Sequence, residues 1–232
     1  MLPIRDTIRS RSFPLITWML IGLNALIFFM ELGMSLPQLD QVITVYGLVP
    51  ARINPLNPIT WLPFFTHMFL HGGWLHFLSN VWVLAIFGDN VEDRLGSGRF
   101  LLFYLLGGIA AGIIQSWSMP GSLVPSIGAS GAIAAVMGAY FFYYPRARVI
   151  TLIPLFIFPW FVEIPAVIYL GFWFVSQLFS GLMSLSAAGG MEMGGIAWWA
   201  HIGGFIFGLL LAAPLQARRP KPTWHQDEYY PW

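Results

Sequence analysis

Six apolar runs, each near 20 residues, punctuate the chain at about 13–32, 67–87, 100–117, 127–143, 161–182 and 195–215. A helix rises 1.5 Å per residue, so about 20 residues cross the hydrocarbon core of a bilayer. The pattern predicts an all-α, polytopic membrane protein with six transmembrane helices. The first run has no small-residue cleavage site after it and reads as a retained span. Two further apolar stretches are too broken to cross. Residues 33–65 interleave Pro37, Pro50, Pro55, Pro58 and Pro63 with Tyr46, Trp61, Phe64 and Phe65, and residues 145–160 carry Arg146, Arg148, Pro154 and Pro159. Both read as segments lying in the membrane interface, where tryptophan belongs. The resulting division is a short arm (1–12), a six-helix membrane domain (13–215) and a tail (216–232).

Composition agrees with the pattern. Of 232 residues 57% are hydrophobic and only 9% charged, against about 25% charged in soluble domains. A net charge of +1 gives no reason to expect nucleic-acid binding. Cysteine is absent, which removes disulfides and thiolate chemistry from consideration. Arg5, Arg9, Arg11, Arg94, Arg99, Arg146, Arg148, Arg218, Arg219 and Lys221 fall on one side of the six-span arrangement, with Arg52 alone opposite. By the positive-inside rule both termini are expected in the cytoplasm.

Polar side chains inside a membrane are costly and are candidates for function by default. Near the start of the fourth run stands Ser130, fenced by Gly128, Ala129 and Gly131. Such small neighbours would admit a substrate backbone to a nucleophile, although small-residue stripes also serve plain helix packing. His201 on the sixth run and Asn80 on the second are expected at the same depth, about 6–10 Å below the outer surface by the helical rise. Gly204 and Gly208 share the helix face of His201, and Gly131, Ala135 and Gly138 form a stripe beside Ser130. These stripes would let two backbones approach closely enough for a hydroxyl–imidazole hydrogen bond. His76 and Asn80, spaced i,i+4, can both donate into one spot, as a developing oxyanion needs. Asn24 is expected to hydrogen-bond between helices, and Glu163 to pair or snorkel.

Gly128-Ala129-Ser130-Gly131, Ala200-His201 followed by Gly204 and Gly208, and the run His76 to Asn80 closely resemble the rhomboid family of intramembrane serine proteases. The Glu92 to Gly98 segment and the His67/His71 pair match as well. The resemblance implies a membrane-embedded endopeptidase with Ser130 as nucleophile and His201 as general base. The oxyanion hole would combine the Ser130 backbone N–H with His76 and Asn80. Span 5 and the loop after it would admit substrate. The expected partners are single-span membrane proteins carrying helix-weakening residues, and the lipid bilayer. No cofactor is implied, and the expected location is a prokaryotic inner membrane. In bacterial members an aromatic residue one turn after the serine packs on the base; here that position is Ala134. Two other readings stand beside this one. A non-enzymatic rhomboid-like protein would bind or escort membrane helices. The His67, His71 and His76 cluster could hold a metal, but it lacks the glutamate of an H-E-x-x-H site, so no metal is expected.

Overall fold

The computed structural model describes residues 2–155, 158–186 and 196–216. Among these residues, eight α-helices and three strands follow in the order β1 (Leu2–Asp6), α1 (Leu15–Leu32), α2 (Leu36–Tyr46), α3 (Pro63–Thr66), α4 (Trp74–Leu95), α5 (Ser97–Ser118), α6 (Ser130–Tyr143), β2 (Arg148–Leu155), β3 (Phe158–Pro165), α7 (Ala166–Ser186) and α8 (Trp198–Leu215). The polytopic helical architecture holds. α1, α5, α7 and α8 are each long and apolar enough to cross a membrane. α4 joins them when taken with the bent segment Pro58–Phe69 before it. α6, at 14 residues, is shorter than a full span.

Several boundaries differ from the sequence pattern, each for a local reason. α4 begins at Trp74 because Gly73, at φ +144°, breaks the chain after the short turn His67–Phe69. It then runs on to Leu95, through residues that read as a polar loop. Only Gly96, at φ +80°, separates it from α5. Two of the polar residues here, Asn90 and Glu92, are buried. Glu92 is 2% exposed, and its carboxylate accepts from the Ile16 and Thr17 backbone N–H groups at 3.0 and 2.8 Å. It also accepts from the Thr17 and Ser97 hydroxyls at 2.8 and 2.6 Å. An acid at the N-terminus of α1 satisfies amides that have no partner within that helix and complements its dipole. Truncation would strand four donors, each worth about 1–3 kcal/mol when buried and unpaired. Glu92→Ala is therefore expected to lower the thermal midpoint in detergent by several degrees. Glu163→Ala should leave the midpoint nearly unchanged, since its bridge to Arg148 (3.2 Å) is exposed and such pairs contribute little.

That bridge belongs to a small antiparallel sheet, ordered β1-β2-β3, which the apolar pattern did not suggest. Ile150 pairs with Glu163 in β2–β3 and Thr151 with Pro3 in β1–β2. α7 accordingly starts at Ala166, since 161–165 are strand. The sheet sits where α6 ends and α7 begins. β1 is tied to the helices by side chains. The Asp6 carboxylate accepts from the Tyr140 hydroxyl at 2.5 Å and from Asn90 at 3.0 Å. Burial pushes the Asp6 carboxyl up to about 6, with the Tyr140 bond opposing the shift.

At the other end, the segment between α1 and α4 folds back onto the bundle. Leu48, Val49, Met68 and Phe69 are buried, while α2 has no buried residue. Leu48 and Ser126 exchange two backbone hydrogen bonds, at 3.0 and 2.8 Å. The Gly128 N–H donates to the His67 carbonyl at 2.8 Å. This segment therefore clamps the loop that leads to Ser130. Asn24 donates to the Leu20 carbonyl one turn back at 2.7 Å, with Tyr104 of α5 beside it.

The helix α6 is the centre of the molecule, and residues 131–140 are all buried. A methyl group added at Gly204 would collide with the Gly131 carbonyl, and one at Gly208 with the Ala135 carbonyl. In the other direction, one at Gly138 would meet the Phe205 carbonyl. The α6 and α8 backbones are thus in contact along a seam that only glycine permits.

Candidate active site

Ser130 is the first residue of α6. The approach to it passes through Gly128 at φ +118°, where a side chain would be strained and would also strike the His76 ring. His201 is the fourth residue of α8. With the glycine seam holding the two helices together, His201 Nε2 lies 2.8 Å from Ser130 Oγ. The start of α8 is pinned separately, where the Ala200 N–H donates to Gln115 Oε1 of α5 at 3.1 Å.

His76 and Asn80 flank the same spot from α4. The Gly72 N–H donates to His76 Nδ1 at 3.3 Å. That bond leaves Nε2, the nitrogen nearest Gly128, as the protonated one. The Asn80 amide donates one hydrogen to the His76 carbonyl at 2.9 Å, which leaves its second hydrogen free for another acceptor. The structure therefore brings Ser130, His201, His76 and Asn80 to one locus. His67 and His71 make their side-chain hydrogen bonds outside it, although the His71 ring lies 5.2 Å from that of His76. Their Nδ1 atoms bond the carbonyls of Pro63 (2.7 Å) and Phe69 (3.2 Å) within their own segment. Among the described residues no group of three or more His, Asp or Glu is arranged to hold a metal. Gly204, Gly208, Gly128 and Gly131 act by admitting close approach, with Gly131 packed against Ala111 of α5.

A cavity of about 620 Å³ opens beside the serine between α4, α6 and α7. Asn80, Ser130 and His201 supply polar atoms to its wall. Much of the remainder is apolar, including Leu78, Trp82, Ile133, Met137, Tyr169 and Trp173. Leu2 and Pro3 of β1 close its foot, held by a hydrogen bond from Trp82 Nε1 to the Pro3 carbonyl at 2.6 Å. A few convergent polar groups in an apolar cleft of this size are what a binding site for an apolar chain requires.

Two residues on α7 that the sequence pattern did not single out complete the surroundings of His201. Gln177 Oε1 lies 2.8 Å from His201 Nδ1, and the Trp173 ring lies 5.8 Å from the imidazole at 36°. Trp173 thus provides the aromatic neighbour that Ala134 does not. Both were open to detection, because a glutamine inside an apolar span is costly there and Trp173 sits i−4 from it on the same face. The segment 187–195 after α7, expected to help admit substrate, lies outside the described residues, as do Arg218, Arg219 and Lys221 of the tail.

The Rhomboid domain profile matches residues 58–218. Rhomboid-like protein 11, chloroplastic, of Arabidopsis thaliana is 25% identical over 88% of this chain and 69% of its own length. Rhomboid protease GluP of Bacillus subtilis is 35% identical over 54% of this chain, and Rhomboid protease GlpG of Salmonella newport 31% over 59%. The chain spans only 24% and 46% of those two relatives. With a profile match over most of its length and a polytopic helical fold around a glycine seam, this integral multi-pass membrane protein belongs to the rhomboid family.

Proposed function

We propose that the protein is an intramembrane serine endopeptidase that cuts single-span membrane proteins near the outer leaflet. The observation that carries this reading is the 2.8 Å contact between Ser130 Oγ and His201 Nε2 at the wall of an apolar cavity. Ser130 Oγ attacks the scissile carbonyl carbon while its proton passes to His201 Nε2. The carbonyl π pair moves onto oxygen, where the Ser130 N–H, His76 Nε2–H and the Asn80 amide receive it. Collapse expels the new amine, which takes the proton from Nε2, and leaves an acyl-serine. Water, giving its proton to the same nitrogen, then hydrolyses that ester. No cofactor enters the sequence. The charge asymmetry supports cytoplasmic termini, and this reading takes a prokaryotic inner membrane as the location.

Depth determines the substrate. A transmembrane helix satisfies its own backbone because lipid offers no partners, so its scissile bond is exposed only after local unwinding. Substrates should therefore carry glycine or proline in the outer half of the span, and a small residue before the cut, next to Gly128, Ala129 and Gly131. The test is a reconstituted single-span substrate whose outer half is varied from Gly/Pro-containing to all-leucine, with cut sites read by mass spectrometry. Cleavage is expected in the outer half and to fall steeply with the all-leucine span. Equal rates, or a cut in the cytoplasmic half, would overturn the proposal.

A further inference from the structure

The hydrogen bonds around His201 do not end at Ser130. We infer that Gln177 is a positioning residue for the base, completing a Ser130–His201–Gln177 relay in which a neutral amide stands on the far side of the imidazole. This rests on the dyad reading above and extends it.

The amide orientation follows from its partners. Gln177 is 6% exposed. Its Nε2 lies 3.0 Å from Ser176 Oγ and 3.3 Å from the Trp173 carbonyl. The Ser176 hydroxyl donates its own hydrogen to that carbonyl at 2.6 Å, so Ser176 Oγ can only accept from Gln177. Both neighbours of Nε2 are therefore acceptors, which fixes the NH₂ group on that side and turns Oε1 toward the imidazole. An oxygen 2.8 Å from His201 Nδ1 requires Nδ1 to carry hydrogen. In the neutral ring Nε2 then holds the lone pair, facing the Ser130 hydroxyl as a general base must. When Nε2 gains the serine proton, the Nδ1–H bond to the Gln177 carbonyl dipole persists and steadies the imidazolium. Trp173, on the preceding turn of α7, limits tilting of the ring.

The arrangement also makes the dyad depend on α7. Gln177 and Trp173 are both α7 residues, whereas Ser130 and His201 are held by the α6–α8 seam. α7 touches the seam helices less extensively than they touch each other, and much of its apolar surface is exposed. A base whose tautomer is set from α7 is correctly protonated only when that helix is seated.

Gln177→Met keeps the length and removes the acceptor, whereas Gln177→Glu keeps an acceptor and adds charge. For Gln177→Met, kcat should fall between about tenfold and about 100-fold with KM little changed, the range expected when a catalytic group loses its alignment. Labelling of Ser130 by a fluorophosphonate should slow by a similar factor. Gln177→Glu should retain activity well above the methionine variant. Its acidic limb of kcat/KM should move up by about one pH unit, because a carboxylate favours the imidazolium. Among the described residues, the titratable groups facing His201 are Ser130 from α6 and His76 from α4, with Tyr169 of α7 on the same cavity, and the described cavity lining contains no Asp, Glu, Lys or Arg. Any such shift therefore reports the new carboxylate. Wild-type kcat in Gln177→Met, or a Gln177→Glu profile superimposable on wild type, would overturn the relay. The glutamate profile decides the matter if the methionine variant does not fold. Ser130→Ala in the same assay separates the two levels: full activity there sinks the dyad itself, whereas its loss together with an unaffected Gln177→Met sinks the relay alone.

Discussion

Ser130→Ala and His201→Ala should each lower cleavage in detergent by about 10³-fold or more, and the double variant should be no worse than either. Members of one proton-transfer unit are non-additive in this way, since removing either disables the same step. The 2.8 Å separation makes the coupling direct. Without the imidazole the hydroxyl keeps its proton, and without the hydroxyl the imidazole has nothing to deprotonate. KM should move little, because the cavity walls that hold substrate are untouched. Fluorophosphonate labelling should vanish in the serine variant and nearly vanish in the histidine one. A single variant that keeps more than a few per cent of wild-type activity would remove its residue from the proposed role.

Gly204→Ala should have the next largest effect, although it adds only a methyl group. That group would collide with the Gly131 carbonyl, and a helix backbone cannot move aside as a side chain can. Overpacking of this kind destabilises by about 1–3 kcal/mol. Gly204 lies three residues from His201 on one face, and Gly131 adjoins Ser130, so the strain falls on the Ser130–His201 distance. A displacement of about 1 Å at a reacting pair can lower the rate about 10²-fold. Activity should therefore fall further than the melting temperature suggests. Gly22→Ala is the matched control, because nothing lies within 4 Å of the added carbon. Its expected effect on activity is nil. Equal activity in the two variants would mean that the seam does not set the reacting geometry.

The helical scaffold was legible in the sequence because lipid imposes one rule on every spanning segment, and apolar runs of fixed length report it. Ser130 and His201 were legible as candidates for a related reason, since each is an isolated polar group on a small-residue stripe. Other features lay beyond that rule. The sheet is built from Leu2–Asp6, Arg148–Leu155 and Phe158–Pro165. The sequence separation of β1 from the other two hides that pairing, and prolines and charges made residues 1–12 read as a polar arm and 145–160 as an interfacial segment. Glu92 looked like loop polarity because its partners, Ile16 and Thr17, lie far away in the chain. Gln177 stood out only as a costly polar group in an apolar span; its role could not be read from the chain, because it depends on facing one particular imidazole.

Residues 2–6 would ordinarily be counted among the most dispensable in a chain, since segments near a terminus tolerate change where they are not tied down. Here Pro3 is bonded to Trp82, and with Leu2 it forms the foot of the cavity that Ser130 and His201 also line. For protein engineering the consequence is concrete. A tag, linker or substitution placed at residues 2–6 edits the wall of that cavity, so a protein altered there cannot serve as a neutral reference for the unaltered chain.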